Sequence, residues 1–418
     1  MKLGRRVAII GGVRTPFVKA GTVFKKLSFQ ELGAIAVKGL IDKYNIPKDK
    51  IGKLSFGSVM LDPQTPNWAR EVAYKADLPK NIYSQSVSNN CISGLVAVTD
   101  ILESIAVGRI DNGIAGGSES LSNPQLLFKE KARQRFLNLS RARSFGEKLS
   151  LIAGFRPRDF LPSIPSVKEP STGLTMGEHM EISAKQFAIS RESQDEFALR
   201  SHLNAHHAML DGRLNQEIVP VGEIKVDQII RSDTTLEKLA KLRPVFDKSS
   251  KGTITAGNSS PLTDGASAVY LMADDVAKVE GVETLATILD YEYAAIDAND
   301  GLLMAPAVAV PRLLKRNGLK LHDFDIIEIH EAFSAQVLAN IKAWEDGWKE
   351  DSIGKIDLSK VNKLGGSISI GHPFAATGGR ILTTIANEMK RKDLHLGLVS
   401  ICAAGAMACA MIIVRDKK

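Results

Sequence analysis

The chain carries only 3 cysteines and 8 histidines in 418 residues. An odd set of three thiols is too small for the disulfide framework of a secreted domain. Cys91, Cys402 and Cys409 therefore read as free thiols in a reducing compartment. No Cys-x-x-Cys pair occurs, and no metal site is expected. No stretch approaches the roughly 18–20 apolar residues of a membrane-spanning helix. The basic start, Met1-Lys2-Leu3-Gly4-Arg5-Arg6, opens a short apolar run that leads straight into Arg14-Thr15-Pro16. That pattern suits a buried strand better than a secretory leader, and a cytoplasmic protein is expected. No recognised nucleic-acid motif is present, so nucleic acid is not expected as a partner.

What is there is ordinary in amount and uneven in placement. Hydrophobic residues make up 44% and charged residues 24% of the chain, enough for a large buried core spread over two or three domains. The net charge is +7. Residues 129–158 alone hold nine Lys/Arg against Glu130 and Glu147, an excess equal to that of the whole chain. Such a run is most often a solvated helical face. Here Phe136, Leu137, Leu139, Phe145, Leu149, Leu151, Ile152 and Phe155 are interleaved with it. A basic amphipathic segment of that kind also suits an anionic membrane surface, a partner subunit or a polyanionic ligand.

Short apolar strands alternate with helical patterns, which points to an α/β protein. Residues 7–10, 53–60, 83–87 and 112–116 read as strands, and 28–44, 69–76 and 94–107 as helices. The order recurs with strands at 287–295, 324–329, 396–401 and 409–414 and helices at 306–317, 332–344 and up to 389. In both halves a polar turn precedes a long apolar helix, which suggests an internal duplication. The intervening stretch, about 121 to 250, holds the basic segment, prolines at 157, 162, 165 and 170, and a long helical pattern over 177–210. Ser190 is a helix start inside it. Residues 252–268 are small and tightly turned, allowing close backbone approach.

Three turns carry the chemistry. Cys91, in Asn89-Asn90-Cys91-Ile92-Ser93-Gly94, precedes a helix with no acid in its first turn. The dipole there is expected to lower the thiol pKa and favour a nucleophilic thiolate. A buried inert thiol is the commoner case for a random cysteine, but small polar neighbours favour function. His372, between Gly371 and Pro373, is placed to be held in one geometry, as a general base requires. Cys402 ends an apolar strand and leads into Ala403-Ala404-Gly405, where backbone amides can serve as oxyanion donors. Cys409 reads as a buried strand thiol. His330 ends another strand and can donate to a carbonyl oxygen or a water. Glu331 is expected to cap the following helix.

Together these segments resemble the thiolase family. The matching runs are Arg14-Thr15-Pro16-Phe17, the Cys91 turn, Ala115-Gly116-Gly117-Ser118-Glu119-Ser120, Met176-Gly177-Glu178 and residues 255–268. They continue with His330-Glu331-Ala332-Phe333, Asn362-Lys363-Leu364-Gly365-Gly366-Ser367, Gly371-His372-Pro373 and Cys402-Ala403-Ala404-Gly405. They keep family order over nearly the whole chain. The resemblance implies the thiolase fold, an α/β architecture of two duplicated halves, each with a five-stranded sheet, stacked as α-β-α-β-α layers. Its divisions would be 1–122 completed by 248–282, an inserted loop domain at 123–247 covering the acyl-CoA site, and 283–418.

The same resemblance implies cleavage of 3-ketoacyl-CoA by CoA in β-oxidation, through an acyl-cysteine. His372 would activate Cys91, and Cys402 would protonate the departing acetyl-CoA carbanion and deprotonate the incoming CoA. His330 and His372 would form one oxyanion hole, and the amides of Cys91 and Ala404 the other. Ser260 would lie near the pantetheine arm, with Met176 and Phe333 lining its channel. No tightly bound cofactor is implied; coenzyme A is a co-substrate. A homodimer or dimer of dimers is implied. Many members carry Asn where His330 stands; the histidine form is similar to the thiolase (β) subunits of fatty-acid oxidation complexes. That type implies a preference for medium or long chains and an enoyl-CoA hydratase/3-hydroxyacyl-CoA dehydrogenase partner. Peripheral membrane contact is a further expectation for the basic segment.

Other readings are weaker. A biosynthetic acetoacetyl-CoA thiolase would run the same residues in the Claisen direction. A decarboxylating condensing enzyme would lack Cys402 and the Gly-His-Pro motif, and a non-catalytic relative would have lost one of Cys91, His372 and Cys402. A nicotinamide dehydrogenase needs a fuller glycine fingerprint than Gly11-Gly12. A serine hydrolase needs the closing glycine missing from Gly116-Gly117-Ser118-Glu119-Ser120. The glycines common in the family after Cys402 are here Ala406-Met407-Ala408, and their methyl groups tighten that turn.

Overall fold

The computed structural model describes residues 4–162 and 168–416; the proline at 165 lies outside the described residues. The first half runs β1 (Val7–Arg14), β2 (Val18–Lys19), α1 (Phe29–Tyr44), β3 (Lys53–Gly57), α2 (Trp68–Lys75), β4 (Tyr83–Val87), α3 (Ser93–Ala106) and β5 (Asn112–Glu119). Five helices follow: α4 (Glu130–Arg141), α5 (Phe145–Ala153), α6 (Met176–Gln186), α7 (Arg191–Leu210) and α8 (Leu236–Ala240). Then come β6 (Thr263–Ala273), α9 (Asp274–Glu280), β7 (Ala286–Ala295), α10 (Pro306–Asn317), β8 (Ile326–Ile329), α11 (Ser334–Asp346), α12 (Ser367–Ile370), α13 (Thr377–Arg391), β9 (Leu396–Ala403) and β10 (Met407–Val414).

Local chemistry sets many of these boundaries. Ser28 accepts from the Glu31 amide while the Glu31 carboxylate accepts from the Ser28 amide, a reciprocal cap that opens α1. Ser190 caps α7 as expected. The helical pattern over 177–210 is nevertheless two helices. Ala188 takes a left-handed conformation, φ +53°, which ends α6, and Phe187 turns aside to pack on Trp348 at 5.8 Å. The small residues near 263–268 are not all turn either. They open β6, a central strand bonded to both β5 and β1. Their smallness serves packing, since a Cβ at Gly265 would stand 2.4 Å from the Phe17 ring.

The strands run β4-β3-β5-β6-β1-β7-β10-β9-β8, with β2 beside β6. Where separate five-stranded sheets were expected, the two halves join through a short seam, Val7, Ala8 and Ile9 of β1 paired antiparallel with Ile288, Thr287 and Ala286 of β7. A register shift between Ile9 and Gly11 then bends β1 away, as a bulge does. Gly11 and Gly12 lie inside this strand, where an added Cβ would meet the Tyr44 ring at 2.1 Å and the Thr383 hydroxyl at 2.0 Å. They permit close packing on both faces and do not form a phosphate-binding turn.

Side-chain alternation builds the layers. Val7 and Ile9 face a central core with α3 and α13, while Ala8 and Ile10 face an outer core with α1 and α2. In β10, Cys409, Met411 and Ile413 point to the same central core, and Ala408, Ala410 and Ile412 to the opposite outer core with α10 and α11. The stack is thus helix, sheet, helix, sheet, helix. The central pair, α3 and α13, carries the two turns of interest at its N-terminal ends.

The basic segment folds as α4 and α5. Phe136 stacks on Phe128, Phe155 and Phe160 at 5.0, 4.7 and 6.0 Å, and Arg135 lies over the Phe155 ring while pairing with Asp159 at 2.9 Å. Phe145 is 82% exposed, and Leu149, Ile152 and Leu161 are also exposed.

Candidate active site

Cys91 stands just before α3. Asn90 adopts φ +49°, and Ser93 closes the turn, accepting from the Asn89 amide and donating to the Asn90 carbonyl, both at 2.7 Å. The turn is tied to the other half of the chain: the Asn90 side chain donates from Nδ2 to the Ala404 carbonyl at 3.0 Å. His372 enters from that other half and places Nε2 3.2 Å from Cys91 Sγ. Its Nδ1 lies 2.7 Å from Thr377 Oγ1. The Thr377 hydroxyl donates to the Pro373 carbonyl at 3.2 Å, which can only accept. The hydroxyl oxygen therefore accepts from Nδ1–H, and Nε2 is left with a lone pair for the thiol proton.

His330 completes the group. Its ring centroid is 4.1 Å from that of His372, it is fully buried, and its Nε2 has no partner among the described residues. An unpaired buried nitrogen is costly and marks where a ligand oxygen belongs. Cys402 lies in an apolar cluster with Met180, Ala332 and Phe333, against which Met176 and Phe246 pack. Ser260 is fixed by its amide on the Ala332 carbonyl at 2.9 Å. The backbone N–H groups of Ala404 and of Cys91 itself both reach the Cys91 sulfur.

The electrostatics differ from the sequence expectation in one respect. Burial raises the Cys91 thiol pKa, and the Glu119 carboxylate adds to this; the Ala404 amide opposes it. Burial and the charge of Arg380 hold His372 down, to about 3. The thiol is pushed up rather than down, because desolvation disfavours its charged form. The resting pair is neutral thiol and neutral imidazole. Burial likewise raises Cys402, with Cys91 contributing, so Cys402 rests as a proton-bearing thiol. His330 is also held neutral by burial, then by His372 and Arg380.

Glu331 does not cap α11, whose preceding residue Phe333 makes no side-chain cap. Its buried carboxylate turns to the opposite side. It accepts from Ser201 at 2.7 Å, Asn362 at 2.6 Å and the Ile368 amide at 3.2 Å, holding the chain that enters α12. Sequence reasoning gave no role to Thr377, Ser367, Arg380 or Glu119, although Ser367 and Glu119 lie within the recognised motifs. Glu119 accepts from the Met60 and Ala375 amides at 2.8 and 3.3 Å and so bridges the halves behind Cys91. After Cys402, Ala406 adopts φ +55°, a left-handed conformation that costs a residue with a Cβ about 1 kcal/mol.

Ligand atoms of Cys91, His330 and His372 lie within 4.8 Å of one another, a thiol–imidazole cluster of metal-binding type. Sequence spacing did not reveal it. His202 and His206 do stand four residues apart on α7, but the His202 Nδ1 accepts from the Arg231 amide at 3.3 Å.

Burial holds His202 down to about 4, against about 6.5 in an unfolded chain. The unfolded state then binds the proton first, so stability falls as pH drops through 6.5 and the loss levels off below about 4. By pH 5 the expected loss from this residue is about 2 kcal/mol. Denaturation of wild type and His202→Gln at pH 7 and 5 checks it; equal losses in both would refute the assignment.

Two family models match the chain: "Thiolase, N-terminal domain" over residues 7–275 and "Thiolase, C-terminal domain" over residues 282–415. A 3-ketoacyl-CoA thiolase of Erwinia tasmaniensis is 42% identical over 99% of this chain and 97% of its own length. A 3-ketoacyl-CoA thiolase of Colwellia psychrerythraea is 41% identical over 99% and 98%. Among solved structures, the acetyl-CoA acetyltransferase of Bacillus anthracis aligns with a TM-score of 0.86 at 29% identity, covering 99% of this chain and 100% of that one.

Proposed function

The chain belongs to the thiolase family, and from that premise we propose that it is a 3-ketoacyl-CoA thiolase of β-oxidation, an acetyl-CoA C-acyltransferase. The observation that carries the proposal is the Cys91–His372 contact at 3.2 Å beside the unpartnered Nε2 of His330. In the first half-reaction His372 Nε2 takes the thiol proton as Cys91 Sγ attacks the 3-keto carbon. The C2–C3 bond breaks, leaving an acyl-cysteine and the acetyl-CoA enolate. His330 and His372 hold the thioester oxygen of that enolate, and Cys402 delivers its proton to C2. In the second, Cys402 takes the proton of the incoming CoA thiol. The CoA sulfur attacks the acyl-cysteine, and the amides of Cys91 and Ala404 hold the tetrahedral oxyanion; its collapse breaks the bond to Cys91 Sγ, which takes back the proton held on His372 Nε2 as the shortened acyl-CoA leaves. Thiolases use CoA as a substrate and need no tightly bound cofactor.

Residues 123–247 are assigned as the loop domain over the acyl-CoA site, with 1–122 and 248–282 as the first half and 283–418 as the second. Ser260, Met176 and Phe333 are assigned to the pantetheine channel. The direct test is CoA-dependent loss of 3-ketoacyl-CoA across chain lengths. Cleavage rising from four carbons to medium and long chains is expected. Activity confined to acetoacetyl-CoA would instead assign the short-chain reaction of the biosynthetic type.

The protein is assigned to the cytoplasm, as a homodimer or dimer of dimers with a hydratase/dehydrogenase partner. No helix among the described residues is long and apolar enough to cross a membrane. For α4 and α5 we favour peripheral contact with an anionic membrane, because Phe145, Leu149, Ile152 and Leu161 are exposed among the basic side chains. Charge reversal at Arg133, Arg135, Arg141 and Arg143 is expected to weaken binding to anionic vesicles at least tenfold, at about 1 kcal/mol per charge. Unchanged vesicle binding with lost co-purification of the partner would reassign the surface to that subunit. If neither changed, it would be a solvated face.

A further inference from the structure

The two imidazoles at the site share a mouth, yet the proposed reaction needs one as a base and the other as a donor. His372 receives its character from Thr377. For His330 the neighbouring group is Ser367, whose Oγ lies 2.9 Å from Nδ1. The buried Arg380 donates from Nη2 to the same Oγ at 3.0 Å, and a guanidinium can only donate. Among the described residues the Ser367 proton has a single acceptor in reach, Nδ1 of His330. That nitrogen must carry the lone pair, and the ring proton must sit on Nε2, the buried atom without a partner. The two hydroxyls thus act with opposite polarity. Thr377 has spent its proton on Pro373 and accepts; Ser367 has its oxygen occupied by Arg380 and donates.

We propose that Ser367 and Arg380 are positioning residues that fix His330 as the Nε2–H tautomer, making it an oxyanion donor that neither competes for the Cys91 proton nor ligates a metal. The inference rests on the thiolase reading of the site for its catalytic meaning, but not for its geometry. Arg380 has a second effect: after burial, which is the main cause, its charge also opposes protonation of both rings. Glu328 lies 3.8 Å from Arg380 and is the acid that faces it; Glu331 and Glu217 are the further acids acting on it.

The test reads the proton directly. Nitrogen-15 imidazole spectra of the full-length wild type, with His330 identified by its loss in His330→Asn, should show Nε2 protonated and Nδ1 bare at pH 7. A protonated Nδ1 would overturn the proposal. In kinetics, Ser367→Ala should lower kcat on the order of tenfold, with KM for CoA and the rate of Cys91 alkylation by iodoacetamide changed less than twofold. Ser367→Thr, which keeps the hydroxyl, should recover most of kcat. Unchanged kcat in Ser367→Ala, or alkylation falling in step with kcat, would also overturn it. Should Ser367→Ala fail to fold, the wild-type spectrum decides alone. Absence of thiolysis in the wild type with the Nε2–H tautomer intact would refute the proposed function and leave the positioning assignment standing.

Discussion

Cys91→Ala removes CoA-dependent cleavage of 3-ketoacyl-CoA by on the order of 10⁴-fold or more, while substrate binding is largely kept. The loss is expected to be this large because, in the proposed mechanism, the Cys91 sulfur is the atom that becomes covalently acylated, and no second nucleophile takes its place. Cys402 is buried in an apolar pocket with its thiol held protonated, and Cys409 lies in the central core. Binding is expected to survive because the residues proposed for the pantetheine channel, Ser260, Met176 and Phe333, do not include Cys91. The measurement is a burst experiment alongside steady-state rates: the wild type forms an acyl-enzyme detectable by intact mass, and the alanine variant forms none. Wild-type rates in Cys91→Ala would sink the mechanism. Alanine adds no bulk to the Asn90 turn, and the Ser93 contacts that hold it are to backbone atoms, so unfolding does not confound the result.

Arg14→Met lowers stability by about 3–5 kcal/mol, the largest effect expected away from the reacting atoms. Arg14 is fully buried and grips Asp227 with both terminal nitrogens, at 2.6 and 2.7 Å, while its Nε stands 3.6 Å from Glu217. Removing the cation leaves two buried carboxyl groups without their counter-charge. Asp227 keeps the Phe17 amide at 2.8 Å and Glu217 keeps the Thr384 hydroxyl at 2.9 Å, which offsets only part of the desolvation. The same contacts tie the β1 end to residues 217 and 227 of the inserted stretch, so release should propagate to that segment. Urea midpoints of the first unfolding transition, read with protease sensitivity near residue 227, test this. A shift worth under 1 kcal/mol would show that the pair is dispensable.

Arg14 also illustrates how far the chain could be read before its structure. The run Arg14-Thr15-Pro16-Phe17 stood out as part of the thiolase pattern, but its counter-charges sit more than 200 residues away, at Asp227 and Glu217. Glu331 was assigned from local spacing to the next helix and instead holds α12, because Asn362, Ser201 and Ile368 converge on it from three separate elements. Residues 263–268 looked like turn because small side chains favour turns, whereas in β6 Gly265 and Ser267 are small because Phe17 and α13 press on that face of the strand.

The sequence by itself determined most strands and helices of the two halves, though not β6 or the break between α6 and α7, together with the reciprocal cap of α1, the start of α7, and the three turns bearing Cys91, His372 and Cys402. These follow from periodicity, capping and glycine placement, which act over a few residues. Only the tertiary structure decided that His372 Nε2 meets a thiol 281 positions earlier at 3.2 Å, and that this thiol rests protonated. It alone set the two rings facing it as opposite tautomers. Desolvation, counter-charge and the direction of a hydroxyl proton depend on everything packed around a group. Most of what is packed around this site comes from the other half of the chain.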